Sequence, residues 1–456
     1  MSEKRFYIAK LIACTVLAAV MVIGLAMPAF AANYSSGESS KDPAKAAITK
    51  IFKMPIGTVT PEANFIFTFE KVGMNDPLNE SAEALAGMPD IKDVVIDFGA
   101  GEEPAGGLLV AGDAKILVKQ SDDFLAGMTG GVWKNGEGIY KYRVYEDRTP
   151  VGGSSIAIAD ASKEKGTYSN AVYDVEIWVE KDADGILYAK YVCVKIVAGS
   201  EDEYYVTDGV AASGKVDPTP GAEELFPGAP ADFSNKFSKV IFTNKYWKTD
   251  GGGTTDPGVT ALEIVKKITG NGAALDAYFS FDVKVKQSGV IPAVQQYKAY
   301  VLDAGDKNVT SAANYPTLEA DGSILFTSGV TLKGIKLTNG QRLAFVDLHV
   351  GSAVEVTEAA AEGYIPSYQR TFAGTGEYKG ILNTALGFPG REDPGPHYTV
   401  GGHGENIVTF TNTRSGATPT GISVDNLPYI VLIGLAIAAL AIYTVIRLYK
   451  GSKHAA

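Results

Sequence analysis

Short stretches in which apolar and polar residues alternate dominate the chain from Ala46 onward, and clusters of Gly, Asp, Asn and Pro separate them. Alternation with a period of two is typical of half-buried β-strands. The clearest pair, Tyr173–Glu180 and Ile186–Val194, flanks a turn-forming segment and predicts a β-hairpin. Asn339-Gly340 predicts another hairpin with a type I′ turn. Because long helical periodicity is scarce, the pattern favours an all-β protein with strands at the spacing of β-sandwiches.

One Gly-rich stretch, Asp250–Gly258, interrupts the series of predicted strands. It divides the chain into residues 33–248 and 258–414, which we interpret as two tandem β-sandwich domains. Apolar residues make up 46% of the chain, which supports a buried core in each domain and excludes a disordered stalk. The formal net charge of −11 argues against nucleic acid as a partner.

The first 31 residues have the pattern of a secretory signal peptide. An apolar segment, Leu11–Ala26, precedes an A-x-A cleavage site at Ala29–Ala31 and follows three basic residues, Lys4, Arg5 and Lys10. Cleavage after Ala31 leaves Cys193 as the only thiol, so no intramolecular disulfide is possible. Exported domains often depend on disulfides, and this chain must therefore be stabilised in another way.

The other end of the chain, residues 417–453, combines three features. Residues from Leu427 to Ile446 are almost wholly apolar, and the stretch from Tyr429 to Ile446 reaches the roughly 18 residues of a membrane helix. Arg447, Lys450 and Lys453 follow, as expected for a cytoplasmic flank. A Thr-Pro-Thr-Gly segment precedes them, formed by Thr418, Pro419, Thr420 and Gly421. Together these features resemble a Gram-positive cell-wall sorting signal.

In that family a sortase cleaves between the Thr and the Gly, which here are Thr420 and Gly421. The segment departs from the commoner Leu-Pro-x-Thr-Gly form, because Thr418 replaces the Leu and no residue separates Pro419 from Thr420. Shortened forms of this kind occur in pilus backbone subunits. The alternative interpretation is an ordinary single-span anchor that follows a Pro-Thr-Gly turn.

Each predicted domain directs three polar side chains toward its core. Residues two apart on a half-buried strand share a face, and Lys50 shares its face with Ile48 and Phe52. The same pattern gives one Lys, one Glu and one Asn per domain, in the same chain order: Lys50, Glu146 and Asn244, then Lys266, Glu358 and Asn412. Buried charges cost several kcal/mol unless they are paired. For any single Lys, the alternative is a side chain that reaches solvent at a sheet edge.

These residues and their neighbours resemble the marks of a streptococcal-type pilin isopeptide domain, and the resemblance covers both domains and the sorting signal. It rests on the following segments: Ile48-Thr-Lys50, Tyr142-Arg-Val-Tyr-Glu146, Ile241-Phe-Thr-Asn244, Leu262-Glu-Ile-Val-Lys266, Val354-Glu-Val-Thr-Glu358 and Thr409-Phe-Thr-Asn412. The resemblance implies Ig-like, collagen-adhesin B-type β-sandwiches. It also implies two intramolecular amide bonds, Lys50–Asn244 and Lys266–Asn412, promoted by Glu146 and Glu358. Two departures from the repeat concern the first domain, which is unusually long and has Tyr145 where the second has Thr357.

The chemistry of such a bond follows from burial. An apolar site lowers the pKa of a Lys and raises that of a Glu, so both favour their neutral forms. A neutral amine is a nucleophile toward the Asn carbonyl carbon, and a protonated carboxyl can donate a hydrogen bond to the carbonyl and relay protons until ammonia leaves. The reaction happens once per site and needs no cofactor, so it does not make the protein an enzyme.

The resemblance implies a structural pilus subunit at the cell surface. Its expected partners are a sortase, other pilin subunits, and peptidoglycan or a pilus base. Polymerisation also requires a Lys that attacks the acyl intermediate at Thr420, and the candidates are Lys239 and Lys236. Lys239 is preferred because it lies five residues before Asn244, which places its side chain on the outward face. The alternative is that both are ordinary solvated lysines, since no Tyr-Pro-Lys motif is present.

Two other classes of function compete with this interpretation. A monomeric wall-anchored adhesin that binds a host or cell-surface ligand could use the same domains as a stalk. An exported enzyme has little support, because the sequence contains neither G-x-S-x-G nor H-E-x-x-H. His397 and His403 lie in a Gly/Pro-rich stretch, and no metal site is expected.

Overall fold

The computed structural model describes residues 33–104, 110–111, 114–198, 214–224, 236–253, 258–373, 376–381, 399–402, 404–414 and 427–452. The predicted signal peptide, the sorting motif Thr418–Gly421, and both His397 and His403 lie outside the described residues.

The described residues are mainly β-strands. In the first half these are β1 (Ser35–Ser36), β2 (Thr49–Pro55), β3 (Ala63–Met74), β4 (Val94–Phe98), β5 (Val110–Ala111), β6 (Ala114–Gln120), β7 (Gly138–Glu146), β8 (Ser155–Ile156), β9 (Glu164–Thr167), β10 (Val172–Lys181), β11 (Leu187–Ala198), β12 (Lys215–Val216), β13 (Glu223–Glu224), β14 (Lys236–Phe237) and β15 (Ile241–Asp250). In the second half they are β16 (Leu262–Thr269), β17 (Phe279–Lys286), β18 (Gln296–Leu302), β19 (Ile324–Thr327), β20 (Thr331–Leu337), β21 (Arg342–Phe345), β22 (Leu348–His349), β23 (Ala353–Glu358), β24 (Tyr364–Phe372), β25 (Gly376–Ile381) and β26 (Ile407–Arg414). The all-β class predicted from the alternation is confirmed.

Helices are few. The short helix α1 (Ala82–Gly87) begins after Ser81, whose hydroxyl accepts a hydrogen bond from the Ala84 N–H, and a 3-10 turn covers Gly130–Val132. The helix α2 (Leu427–Ser452) lies where the apolar C-terminal stretch predicts one. Among the described residues, none of the helices is both long and apolar enough to cross a membrane. The membrane anchor therefore stays a prediction.

Two sheets enclose the core of the first half. One has the strand order β1-β11-β10-β7-β3-β4, with β12 and β8 paired at its sides, and the other has the order β22-β15-β2-β6-β5, with β9 paired to β15. The predicted hairpin is confirmed as the antiparallel pair β10–β11. The first and last strands of this half, β2 and β15, are parallel neighbours. On β7 every second side chain is buried, as the sequence pattern predicts; these are Tyr140, Tyr142, Val144 and Glu146.

The second half repeats this plan with fewer strands. Its sheets have the orders β19-β18-β21-β16-β26-β24-β25 and β20-β17-β23. Here too the first and last strands, β16 and β26, are parallel neighbours. Its buried apolar side chains form a core of their own, which includes Phe281, Phe345 and Phe410.

The predicted hairpin at Asn339-Gly340 is wrong. The strand before it, β20, pairs with β17, whereas the strand after it, β21, pairs with β16 and β18 in the facing sheet. The turn therefore carries the chain from one sheet to the other. Gly340 has a φ of +79° and its N–H donates to the Lys266 carbonyl over 2.9 Å, while Asn339 Oδ1 accepts from the Ile268 N–H.

The last strand of the first half pairs with a strand of the second half. Strand β15 extends to Asp250 and pairs with β22 of the second half, with Thr249 opposite His349. Gly251 follows with a φ of +98°, and a Cβ at this position would lie 2.2 Å from the Val346 carbonyl oxygen. Only glycine fits this close approach, so the packing requires the first glycine of the Gly-rich segment.

Candidate functional site

The three polar residues predicted for the first half come from two facing sheets. Lys50 on β2 and Asn244 on β15 lie on neighbouring strands, and Phe242 is directly opposite Lys50 in the parallel register. Asn244, two residues further along, points to the same face as Phe242. Glu146 is the last residue of β7 in the other sheet and lies opposite Phe67. The sandwich therefore brings the carboxyl group to the Lys and Asn from across the core.

Direct hydrogen bonds join all three side chains. Lys50 Nζ donates to Asn244 Oδ1 over 2.6 Å and to Glu146 Oε2 over 3.0 Å. Asn244 Nδ2 donates to Glu146 Oε1 over 2.7 Å. The relative exposures are 0% for Lys50, 3% for Glu146 and 0% for Asn244, so the cluster is sealed from water. Such a set of polar groups, buried and mutually bonded, meets the conditions for a reaction that depends on proximity.

Burial controls the protonation of the nucleophile. Desolvation lowers the pKa of Lys50 from 10.5 to about 8, even though the neighbouring Glu146 acts in the opposite direction. Phenylalanine rings supply the apolar surroundings: Lys50 Nζ lies 4.1 Å from the centre of the Phe65 ring and 5.5 Å from that of Phe67. The lowered pKa increases the fraction of neutral amine, which is the form that can attack a carbonyl carbon.

The second half builds the same cluster from the corresponding strands. Lys266 on β16 lies opposite Phe410 on β26, two residues before Asn412. Glu358, the last residue of β23, lies opposite Phe281. Both registers equal those of the first half, so the repeat extends from the residue types to the strand pairing that positions them.

The second cluster is similarly buried and is bonded through its carboxyl group. Lys266 Nζ lies 2.7 Å from Glu358 Oε1, and Asn412 Nδ2 donates to the same oxygen over 3.1 Å. Desolvation lowers the pKa of Lys266 and raises that of Glu358, and the attraction between the two opposes both shifts. Both shifts favour a neutral amine beside a neutral carboxyl, which is the pairing that the chemistry requires.

One feature of the contacts differs from the sequence-based expectation. We expected the carboxyl to face the carbonyl oxygen of each Asn, but in both halves it accepts a hydrogen bond from the Asn nitrogen, Nδ2. The carboxyl group therefore touches the atom that would leave as ammonia. In the first half its second oxygen also accepts a hydrogen bond from Lys50 Nζ.

The aromatic residues around the two lysines were not predicted as site residues. Lys266 Nζ lies 4.2 Å from the centre of the Phe279 ring, and Lys50 Nζ lies 4.1 Å from that of Phe65. The sequence does contain a signal for them, because Phe65-Ile-Phe67 and Phe279-Ser-Phe281 recur on the strand that follows each Lys. Each motif supplies one ring above the amine and one opposite the Glu.

The two candidate polymerisation lysines lie just before β15. Lys236, on the short strand β14, is exposed, and Lys239 is half-buried and its backbone N–H donates to the Asp217 carbonyl over 2.8 Å. Within the described part of the chain, no group of three His, Cys, Asp or Glu side chains is arranged to hold a metal ion.

Comparisons with known proteins match this chain to a domain model and to solved structures. Residues 260–414 match a domain of unknown function, DUF7601. No curated protein matches the chain. Among similar solved structures, the major pilin T3.2 of Streptococcus pyogenes serotype GAS13637 is 15% identical, with a TM-score of 0.27, over 84% of this chain and 100% of the pilin.

Another Streptococcus pyogenes major pilin is 14% identical over 82% of this chain and 99% of its own, with a TM-score of 0.28. A pilus-presented adhesin is 10% identical over 81% of this chain and 99% of its own, with a TM-score of 0.22. Streptococcal major pilins and a pilus adhesin are thus among the structures to which this chain is similar.

Proposed function

We propose that this protein is a structural pilus subunit of the cell surface. Each half would be closed by an intramolecular amide bond, Lys50–Asn244 or Lys266–Asn412, and a sortase would cleave the chain between Thr420 and Gly421. The single observation that carries the proposal is the repeated buried cluster of Lys, Glu and Asn, set by the same strand register in both halves.

The proposed reaction joins the Lys amine to the Asn carbonyl carbon. In the first half Lys50 Nζ attacks Asn244 Cγ, the Cγ–Nδ2 bond breaks, and ammonia leaves. Glu146 contacts both nitrogens, so it can give a proton to Nδ2 through Oε1 and take one from Nζ through Oε2. The carboxyl ends in its starting state, and the net change is the loss of one ammonia per bond.

Such a bond would replace the missing disulfides. Lys50 and Asn244 are 194 positions apart, and a cross-link that closes a loop of this size stabilises the fold by about 5 kcal/mol in the loop-closure model. The bond would also join the first strand to the last, which are parallel neighbours. Tension applied along the chain would then pass from β2 to β15 without unfolding the residues between them.

The polymerisation part of the proposal rests on the sequence at the two ends. A secretory signal, a Pro-Thr-Gly motif and an apolar C-terminal stretch with a basic flank suit a precursor that is exported, held briefly in the membrane and transferred by a sortase. The acceptor would be Lys239 or Lys236 of another copy. The partner at the base of the polymer would be peptidoglycan or a basal subunit.

Polymer analysis tests this function against a monomeric adhesin. Wall extracts of the producing cells, boiled in SDS, should show a ladder of covalent multimers that react with an antibody to this chain. Thr420→Ala should abolish the ladder, while Thr413→Ala, on the preceding strand, should leave it unchanged. A single monomeric band from the unaltered protein would refute the pilus proposal and leave the adhesin interpretation.

A further inference from the structure

A backbone N–H points at the reacting amide of the first half. Ser169 lies in the loop between β9 and β10, and its N–H donates to Asn244 Oδ1 over 2.8 Å and to Glu146 Oε2 over 3.1 Å. Ser169 is buried, and its hydroxyl oxygen accepts a hydrogen bond from the Ala171 N–H over 3.2 Å. The loop is therefore held by a hydrogen bond of its own, independent of the cluster that it contacts.

This donor determines which way the Asn244 amide faces. A peptide N–H can only donate, so it requires an oxygen opposite it and orients Oδ1 toward Ser169. The amide nitrogen then faces Glu146, where it donates to Oε1 over 2.7 Å. In this orientation Asn244 Oδ1 accepts hydrogen bonds from the Ser169 N–H and from Lys50 Nζ, and the amide nitrogen is left to Glu146.

We propose that the Ser169 backbone N–H is an oxyanion donor for the cross-linking reaction of the first half; this inference rests on the proposed function. When Lys50 Nζ bonds to Asn244 Cγ, the C=O π electrons move to Oδ1 and form an oxyanion. The Ser169 N–H stabilises that charge. Re-formation of the C=O bond then expels Nδ2, which leaves as ammonia with the proton supplied through Glu146. The product is the Nζ–Cγ amide, whose oxygen keeps the same donor.

The second half lacks this feature in its described residues. Asn412 Oδ1 is buried and has no hydrogen-bond partner among them. The residue also lines a small pocket of about 110 Å³, together with Glu358, residues 359–361, Tyr364 and Pro366. The first cluster thus contains a donor to the Asn oxygen that the described residues of the second do not supply. Cross-linking at Lys266 and Asn412 therefore serves as a reference reaction within the same molecule.

The test removes the backbone N–H of residue 169. Ser169→Pro deletes the donor, and Ser169→Ala is the matched control, which keeps the N–H and removes only the hydroxyl. The full-length chain is made by cell-free synthesis, translation is stopped, and the two cross-linked peptides are counted at successive times by mass spectrometry. Loss of one oxyanion donor slows such reactions by about 100-fold or more. We expect this slowing for Lys50–Asn244 in Ser169→Pro, with no change at Lys266–Asn412.

The control Ser169→Ala should cross-link at the wild-type rate. Equal rates for Ser169→Pro and the wild type at Lys50–Asn244 would overturn the inference while leaving the proposed function intact. If the unaltered chain forms neither bond, the proposed function fails as well. The two failures are therefore distinguishable.

A second measurement does not depend on how the Pro variant folds. In the full-length Lys50→Met chain, which cannot form the first bond, the Ser169 amide hydrogen should be protected from exchange by its two acceptors, Asn244 Oδ1 at 2.8 Å and Glu146 Oε2 at 3.1 Å. Adding Asn244→Ala removes the nearer acceptor and should speed exchange of that amide by about tenfold, the equivalent of one hydrogen bond. An unprotected Ser169 amide in Lys50→Met, or equal exchange in both chains, would overturn the inference.

Discussion

Replacing Lys266 with Met separates the contribution of the covalent bond from that of the buried charge. Met fills a similar volume with apolar atoms, so the variant loses the nucleophile without leaving a large cavity or an unpaired ammonium group. Glu358 remains paired with Asn412 Nδ2 at 3.1 Å, and burial raises its pKa, so it can stay neutral. The variant therefore tests the cross-link itself.

The size of the effect follows from the length of the loop that the bond closes. Lys266 and Asn412 enclose roughly 150 residues, for which loop closure gives about 5 kcal/mol. For a domain of this size, 1 kcal/mol corresponds to about 2–4 °C in Tm, so the second half should unfold about 10–20 °C lower in Lys266→Met. The first half keeps its own bond and provides the internal reference.

Calorimetry of the soluble region, combined with its intact mass, measures both consequences. Lys266→Met should lose one ammonia fewer than the wild type and show one transition moved to lower temperature. The control is Lys267→Met, an exposed Lys at the next position of the same strand, which should keep both the mass deficit and the Tm. A Lys266→Met protein with the wild-type mass deficit, or with an unchanged Tm, would refute the reasoning.

Three further predictions concern other residues. In Glu146→Ala the Lys50–Asn244 bond should not form, while the Lys266–Asn412 bond still forms. Mapping of cross-linked peptides checks this, and a Lys50–Asn244 peptide as abundant as in the wild type would show that Glu146 is dispensable. Burial lowers the pKa of His349 to about 4, and because the folded state disfavours its charged form, stability should fall as the pH drops from about 6.5 toward 4. The free energy of unfolding, measured with denaturant, should decrease by about 3 kcal/mol over this range. In His349→Phe the free energy of unfolding should depend less on pH over the same range, and an equal pH dependence in the variant and the wild type would show that another group is responsible. Lys239→Arg should abolish the SDS-resistant ladder while Lys236→Arg leaves it intact, whereas the reverse result would assign the acceptor to Lys236.

The sequence was sufficient to locate the side chains of each cluster because strand alternation is a local property. The spacing of two residues along the strand predicted that Glu146 shares a face with Tyr142 and Val144, and all three are buried. The same reasoning is incomplete on β2, where every residue is buried rather than every second one. This strand lies between β6 and β15 in the middle of its sheet. The alternation of apolar and polar residues does not show that both faces of such a strand are buried.

Features that depend on long-range pairing or on the backbone were not predictable. Asn339-Gly340 has the residue types of a tight turn. These residue types do not determine whether the flanking strands pair with each other or enter opposite sheets. The donor at Ser169 belongs to the main chain, so no residue type marks it. The pairing of β15 with β22 was also not predictable, because it depends on backbone hydrogen bonds between distant strands. The Gly-rich stretch after β15 indicated only a linker.

The intact mass of the purified soluble region, residues 32–415, under denaturing conditions tests the two proposed cross-links most directly. We expect a mass lower than the sequence mass by two molecules of ammonia, one for Lys50–Asn244 and one for Lys266–Asn412. A mass equal to that of the unmodified sequence would contradict both cross-links, because the two buried clusters would then be ordinary hydrogen-bonded ion pairs.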